Sequence, residues 1–105
     1  MSASTAPTLV YVTYQGTPGT RFDRTYYVER HLPLVMQAWG RYGLESVAAF
    51  FPAEGREGTI AICECRFRDA AAIDAAFASP QTPAVMADVA HFTDVAPAQL
   101  RATPL

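Results

Sequence analysis

The residues of this chain best suited to moving a proton are His31, Tyr27 and Glu64. Neutral imidazole both takes and gives a proton near pH 7, and Tyr27 sits one helical turn before His31, so its hydroxyl can reach the same space. Glu64 stands between Cys63 and Cys65 in a β-branched run. Strand alternation therefore turns it away from both, together with Ile60, Ile62 and Arg66. If Cys63, Cys65 and Phe67 pack under helices, Glu64 lines the space between this sheet and a second one packed against it, among aliphatic neighbours. Its carboxyl would then be desolvated, raised in pKa and suited to act as a general base. Each residue also has a purely structural reading. His31 can be a core histidine bonded to a backbone carbonyl, and Glu64 can pair with Arg66 on one strand face.

Aromatic side chains surround these groups. Tyr27, Trp39, Tyr42 and Phe92 can form a wall for a small hydrophobic or cyclic ligand, or simply pack as core. Asp94 can orient a histidine or tyrosine, and either it or Asp88 can satisfy backbone groups at a strand end. His91 alternates with Phe92 and so points away from it. Cys63 and Cys65 share one strand face, too constrained for an ordinary structural disulfide, and read as buried thiols. No other cysteine is present and both histidines are distant in sequence, so no metal site is expected. Neither a G-x-G-x-x-G nor a P-loop occurs, and no nucleotide, phosphate or flavin cofactor is expected.

The element that must position His31 is the stretch 22–44, FDRTYYVERHLPLVMQAWGRYGL. Asp23 reads as the N-cap, with Phe22 and Tyr27 as a hydrophobic staple. Tyr27, His31, Leu34, Val35, Ala38 and Tyr42 recur at helical spacing, widened by Val28, Leu32 and Trp39. Pro33 cannot donate to the carbonyl of Glu29, so the helix should open at His31 and leave carbonyls to fix its tautomer. Gly43 supplies the stop.

Around this helix the sequence predicts strands over 8–14, 45–53, 59–67 and 90–95, the middle two joined as a hairpin. A second helix is capped by Asp69 and ended by Ser79-Pro80; a further turn starts with Thr82 as cap and Pro83 first inside. The order βαββαβ predicts an α+β ferredoxin-like sandwich, a four-stranded antiparallel sheet with helices on one face. Phe50, Phe51, Ile60, Ile62 and Phe92 exceed what one helical layer covers, so a homodimer closed by its two sheets is expected.

The totals agree with this reading. The 105 residues suit one domain, 1–105, with 1–7 as a loose tail; 50% are hydrophobic and 17% charged. Ten acids against eight arginines and no lysine give a net charge of -2, without the basic stripe that nucleic acid requires. There is neither a signal-peptide pattern nor an apolar run of membrane-spanning length, so a cytoplasmic protein without membrane contact is expected.

Four motifs together resemble the EthD family of the dimeric α/β-barrel superfamily. They are F-D-x-x-Y-Y from Phe22, H-L-P-L-V from His31, W-G-x-x-G-L from Trp39 and F-T-D-x-x-P from Phe92. The resemblance covers nearly the whole chain. It implies a ferredoxin-like protomer and a face-to-face dimer whose sheets enclose a cavity. The family is named for a protein needed in bacterial degradation of a fuel ether beside a cytochrome P450 system. Related barrels include muconolactone-type isomerases, polyketide cyclases and decarboxylases, cofactor-free oxygenases and haem-degrading proteins. In the isomerases a histidine from this helix serves as acid/base, which favours His31 as catalytic. Two function classes follow from the resemblance: a cofactor-independent enzyme, or a non-catalytic accessory that binds a hydrophobic ligand beside an oxygenase. Haem handling is a third reading.

Overall fold

The computed structural model describes residues 6–105; most of the tail read at 1–7 lies outside the described residues. β1 spans Thr8–Gly16, β2 Leu44–Phe50, β3 Gly58–Phe67 and β4 Ala98–Ala102, in the antiparallel order β2-β3-β1-β4. Between β1 and β2 lie α1 (Arg24–Tyr26), a π turn (Tyr27–His31), α2 (Leu32–Trp39) and a 3-10 turn (Gly40–Tyr42). Between β3 and β4 lie α3 (Ala70–Phe77), α4 (Thr82–Asp88) and a 3-10 turn (Val89–His91). This is the expected ferredoxin-like sandwich.

Strand alternation divides the sheet into two faces. Val10, Tyr14, Ala61, Cys63, Cys65 and Phe67 point inward, where they pack with Val35, Trp39, Ile73 and Val85 of the helices. Fully burying a side chain of this size contributes about 1.5–3 kcal/mol. Leu9, Tyr11, Ile62, Glu64 and Leu100 share the other face: the register sets Tyr11 against both Glu64 and Leu100, and Leu9 against Arg66. Phe50, opposite Ile62, belongs there too, and it and Leu100 are largely exposed. Two aromatics assigned to this face by sequence lie elsewhere. Phe92 is completely buried, and Phe51 packs edge-on against Phe22 and Tyr27.

The helix that carries His31 begins and ends as its sequence dictates. Asp23 accepts a hydrogen bond from the Tyr26 amide at 3.0 Å, and the Phe22 and Tyr27 rings pack at a tilt as a staple, centroids 5.1 Å apart. At the far end Gly43 takes φ +116°, and a Cβ there would meet that of Ala72 at 2.5 Å, so only glycine fits. The break before Pro33 is a widened turn, with the Leu32 amide reaching back to the carbonyl of Tyr27. The missing proline donor removes the penalty for losing α-helical register there.

Two expectations fail. No strand forms over 90–95: α4 continues into its 3-10 turn, Phe92 dives under the helices, and Thr93 keeps only an isolated bridge to Phe22. The edge of β1 is filled by β4 instead, in a segment with weak strand propensity that begins after Pro97. Nor is Thr82 an N-cap. It is the first residue of α4, and its hydroxyl donates to the Ala76 carbonyl at 2.8 Å while accepting from the Trp39 indole at 3.0 Å. Tying α2 to the end of α3 outweighs capping its own helix.

Candidate active site

His31 is 4% exposed and is held from two sides. The π turn stacks its ring on that of Tyr27, centroids 5.4 Å apart, and Phe92 closes the other side at 4.7 Å. Its Nδ1 lies 2.9 Å from Oδ2 of Asp88, the last residue of α4. The other oxygen of Asp88 accepts from the Tyr26 hydroxyl at 2.8 Å. One carboxylate therefore ties the turn before His31 to the end of α4.

The electrostatics fix the histidine's proton. Burial pushes the Asp88 carboxyl up, but hydrogen bonds from His31 and Tyr26 outweigh it and hold the group below the usual carboxylate range. An ionised carboxylate only accepts, so Nδ1 carries the hydrogen and Nε2 keeps a lone pair. Desolvation lowers the His31 pKa, and Asp88 offsets only part of that. The neutral, Nδ1-protonated imidazole is thus the resting form at pH 7. A backbone carbonyl was the expected partner; the carboxylate of Asp88 takes that place.

His31 lines an apolar cavity of about 30 Å³ between the sheet and the helices. That volume holds roughly two waters. Val12, Tyr27, Leu32, Trp39, Cys63 and Cys65 share the wall, which extends to the exposed Met86 and Gln99 at the surface. Among the described residues no buried side-chain nitrogen or oxygen lacks a partner. Nε2, with no hydrogen bond of its own, therefore borders the cavity's open space. Burial pushes the hydroxyls of Tyr14 and Tyr27 far up, so both are donors and never phenolates near neutral pH.

The structure brings together only part of the site read from sequence. His31, Tyr27 and Trp39 meet at the cavity, while Phe92 packs behind His31. Tyr42 stands apart, its hydroxyl donating to Gln81 at 2.8 Å. Asp94 is exposed and paired with Arg21 at 2.9 Å, so it orients neither a histidine nor a tyrosine. Glu64 lies on the opposite sheet face from His31, where it accepts from the Tyr11 hydroxyl at 2.8 Å. The two cannot act on one substrate within a protomer. The alternative Glu64–Arg66 pair does not form either, since Arg66 turns to Glu45 at 3.4 Å.

Asp88 is the residue the sequence reading passed over for this role. The signal was present: if 82–91 stays helical through its end, Asp88 falls three residues after Val85 on the buried side. Ending the helix early for a strand over 90–95 hid it. Among the described residues no group of three or more His, Cys, Asp or Glu could hold a metal ion, and no helix is long and apolar enough to cross a membrane.

Comparison with known proteins places this geometry. An EthD-like protein from Ralstonia eutropha JMP134 is 25% identical, with TM-score 0.82 over 95% of this chain and 93% of its own. An ethyl tert-butyl ether degradation family protein from Bacillus halodurans C-125 is 15% identical, with TM-score 0.70 over 93% of this chain and 99% of its own. The cofactor-independent oxygenase SnoaB from Streptomyces nogalater shares the fold at 12% identity, with TM-score 0.57 over 94% and 93% of the two chains. No curated protein matches the chain. The EthD domain model matches residues 20–96, which span the π turn, His31 and Asp88, and the chain belongs to the EthD family.

Proposed function

We propose that the protein is a cofactor-independent enzyme of small-molecule metabolism in which His31 transfers a proton on a cyclic or carbonyl-bearing substrate. The observation that supports this best is the pairing of Nδ1 with Asp88 while Nε2 borders an apolar cavity. A base of that kind needs a lone pair aimed at the substrate and a partner that stabilises the imidazolium once formed. Asp88 supplies the second. The Tyr27 hydroxyl, kept protonated by burial, can donate to a substrate oxygen as negative charge develops on it. Isomerisation, cyclisation and cofactor-free oxygenation can begin with such a proton abstraction, and decarboxylation can end with the return of a proton to the carbanion left by carbon dioxide.

The cavity in its resting form is too small for a ring. Binding must therefore displace a wall, and Met86, 42% exposed at the rim, is the side chain best able to move. We further propose a homodimer closed by the outer sheet faces. It would cover Phe50 and Leu100, leave one His31 cavity in each protomer, and act in the reducing cytoplasm, where Cys63 and Cys65 rest as thiols.

Replacing His31 by Ala should lower turnover of an accepted carbonyl substrate by about 10²–10⁴-fold with the fold unchanged by circular dichroism. Undiminished turnover would end the assignment. Tight binding of hydrophobic ligands without any turnover by the wild type would make the protein an accessory binder instead.

A further inference from the structure

The proton-transfer reading leaves two nucleophiles unused on the cavity wall. Cys63 and Cys65 are free, buried, and 3.7 Å apart at sulfur, on the same face of β3. Both line the cavity with His31 and Tyr27, and the same wall reaches the exposed Met86 and Gln99. A buried thiol is ordinarily inert because nothing reaches it. Here a cavity of about 30 Å³ does, with room for a molecule the size of water or peroxide and far too little for glutathione.

We propose that Cys63 and Cys65 form a redox-responsive dithiol that hydrogen peroxide, entering through this cavity, converts to a reversible disulfide. The two sulfurs have different roles. The Cys65 thiol, 3.7 Å away, hydrogen-bonds to Cys63 and favours its thiolate, whereas that neighbour and burial push Cys65 up. Cys63 is therefore the attacking sulfur. Its thiolate forms an S–O bond to one peroxide oxygen as the O–O bond breaks, and the hydroxide released takes up the proton Cys63 gave up to become water. Cys65 then attacks the sulfenic sulfur of Cys63: the S–S bond forms, the S–O bond breaks, and hydroxide departs with the Cys65 proton as a second water. Two thiols lose two electrons in all, and one peroxide is reduced to two waters.

Strand geometry makes the product labile. Same-face neighbours along one strand have Cα atoms about 6.6 Å apart. Disulfides span roughly 4.4–6.8 Å, so this one closes near the upper limit. Strained bonds of this kind are the readily reduced, regulatory ones. Closure draws the two sulfurs together on the cavity wall that they share with Tyr27 and His31. The inference holds whether or not His31 is catalytic, because its readout is covalent.

The test uses the whole reduced protein, treated with submillimolar hydrogen peroxide and read by intact mass and tryptic mapping. Both cysteines fall in one peptide, 57–66. The expected result is the loss of two hydrogens within that peptide, restored when dithiothreitol is added to the digest. In a Cys65→Ser variant, Cys63 should instead accumulate as a sulfenic acid trapped by dimedone. Persistence of both thiols, direct passage of Cys63 to sulfinic acid in the wild type, or disulfides only between chains would overturn the proposal. The wild-type mass decides the matter even if the variant does not fold.

Discussion

The two faces of the sheet each carry a tyrosine hydroxyl bonded to a carboxylate, and they use the same pair differently. On the helix side Tyr26 donates to Asp88, which also holds His31, inside a packed layer closed by Phe92. On the outer side Tyr11 donates to Glu64 among Leu9, Ile62 and Leu100, with no helix above them. The bonds are equally short, 2.8 Å. What differs is the third partner and the covering layer. A carboxylate that fixes one tautomer of a histidine beside a cavity leaves that histidine equipped to move a proton; the same carboxylate bonded only to a tyrosine on a half-covered surface orders that surface.

The largest effect that separates the faces is on stability. Phe67 is wholly buried against Trp39 and Phe77 on the inner face. Phe67→Ala should therefore cost about 3–5 kcal/mol in urea unfolding. Leu100 is 64% exposed, and Leu100→Ser should leave protomer unfolding within about 0.5 kcal/mol. It should instead weaken the proposed dimer by sedimentation. Comparable losses of folding free energy from both changes would mean that the outer face is already part of a core.

Next in size is the contribution of Asp88 to turnover. An asparagine there keeps a group for Tyr26 to bond but can offer His31 either a donor or an acceptor, so the tautomer is no longer fixed. Asp88→Asn should lower kcat by about 100-fold, the cost of a misplaced catalytic group, with KM little changed. A rise in KM alone would assign Asp88 to binding.

Titration sharpens the same contrast. His31 is lowered by burial, so the folded protein binds fewer protons than the unfolded chain just below the ordinary value of 6.5. Stability therefore falls as pH drops from 6.5 towards the folded pKa, and Asp88, also lowered, adds a further loss below its ordinary 3.8. The titratable groups around this site are Asp88, Tyr26 and Tyr27, then Tyr14, Cys63 and Cys65 on the cavity wall and, beside Tyr26, His91. Removing the Asp88 charge leaves desolvation unopposed. Proton NMR should show His31 titrating below 6.5 in the wild type and lower still in Asp88→Asn. A midpoint that rises in the variant would contradict this electrostatic account.

Local rules of the chain decided how far it was legible. Asp23, the Phe22–Tyr27 staple, Gly43 and Asp69 act within a few residues, and each behaves as its type requires. The opening before Pro33 was legible too, because a missing donor is a covalent fact. Choices between distant partners were not. Whether 90–95 or 98–102 fills the edge of β1 depends on how deep Phe92 packs, which alternation cannot express. Whether Asp88 or Asp94 meets His31 depends on where α4 ends. Glu64 is a different case. It faces opposite to the cysteines, as alternation requires, but the cavity that His31 lines is on the cysteines' side of the sheet, which alternation alone cannot express.

The smallest expected effect is therefore the most discriminating. Glu64→Gln keeps the size of the side chain and an oxygen to accept from Tyr11, while removing the charge. If proton transfer belongs to the helix side alone, kcat and its pH profile should not change, since a whole β-sheet separates Glu64 from His31 in each protomer. The expected loss is smaller than twofold, against the roughly 100-fold loss for Asp88→Asn. A large fall in kcat for Glu64→Gln would mean that the reaction runs between the two sheets of a dimer. His31 would then be what its burial and its bond to Asp88 also allow, the brace of a widened helical turn.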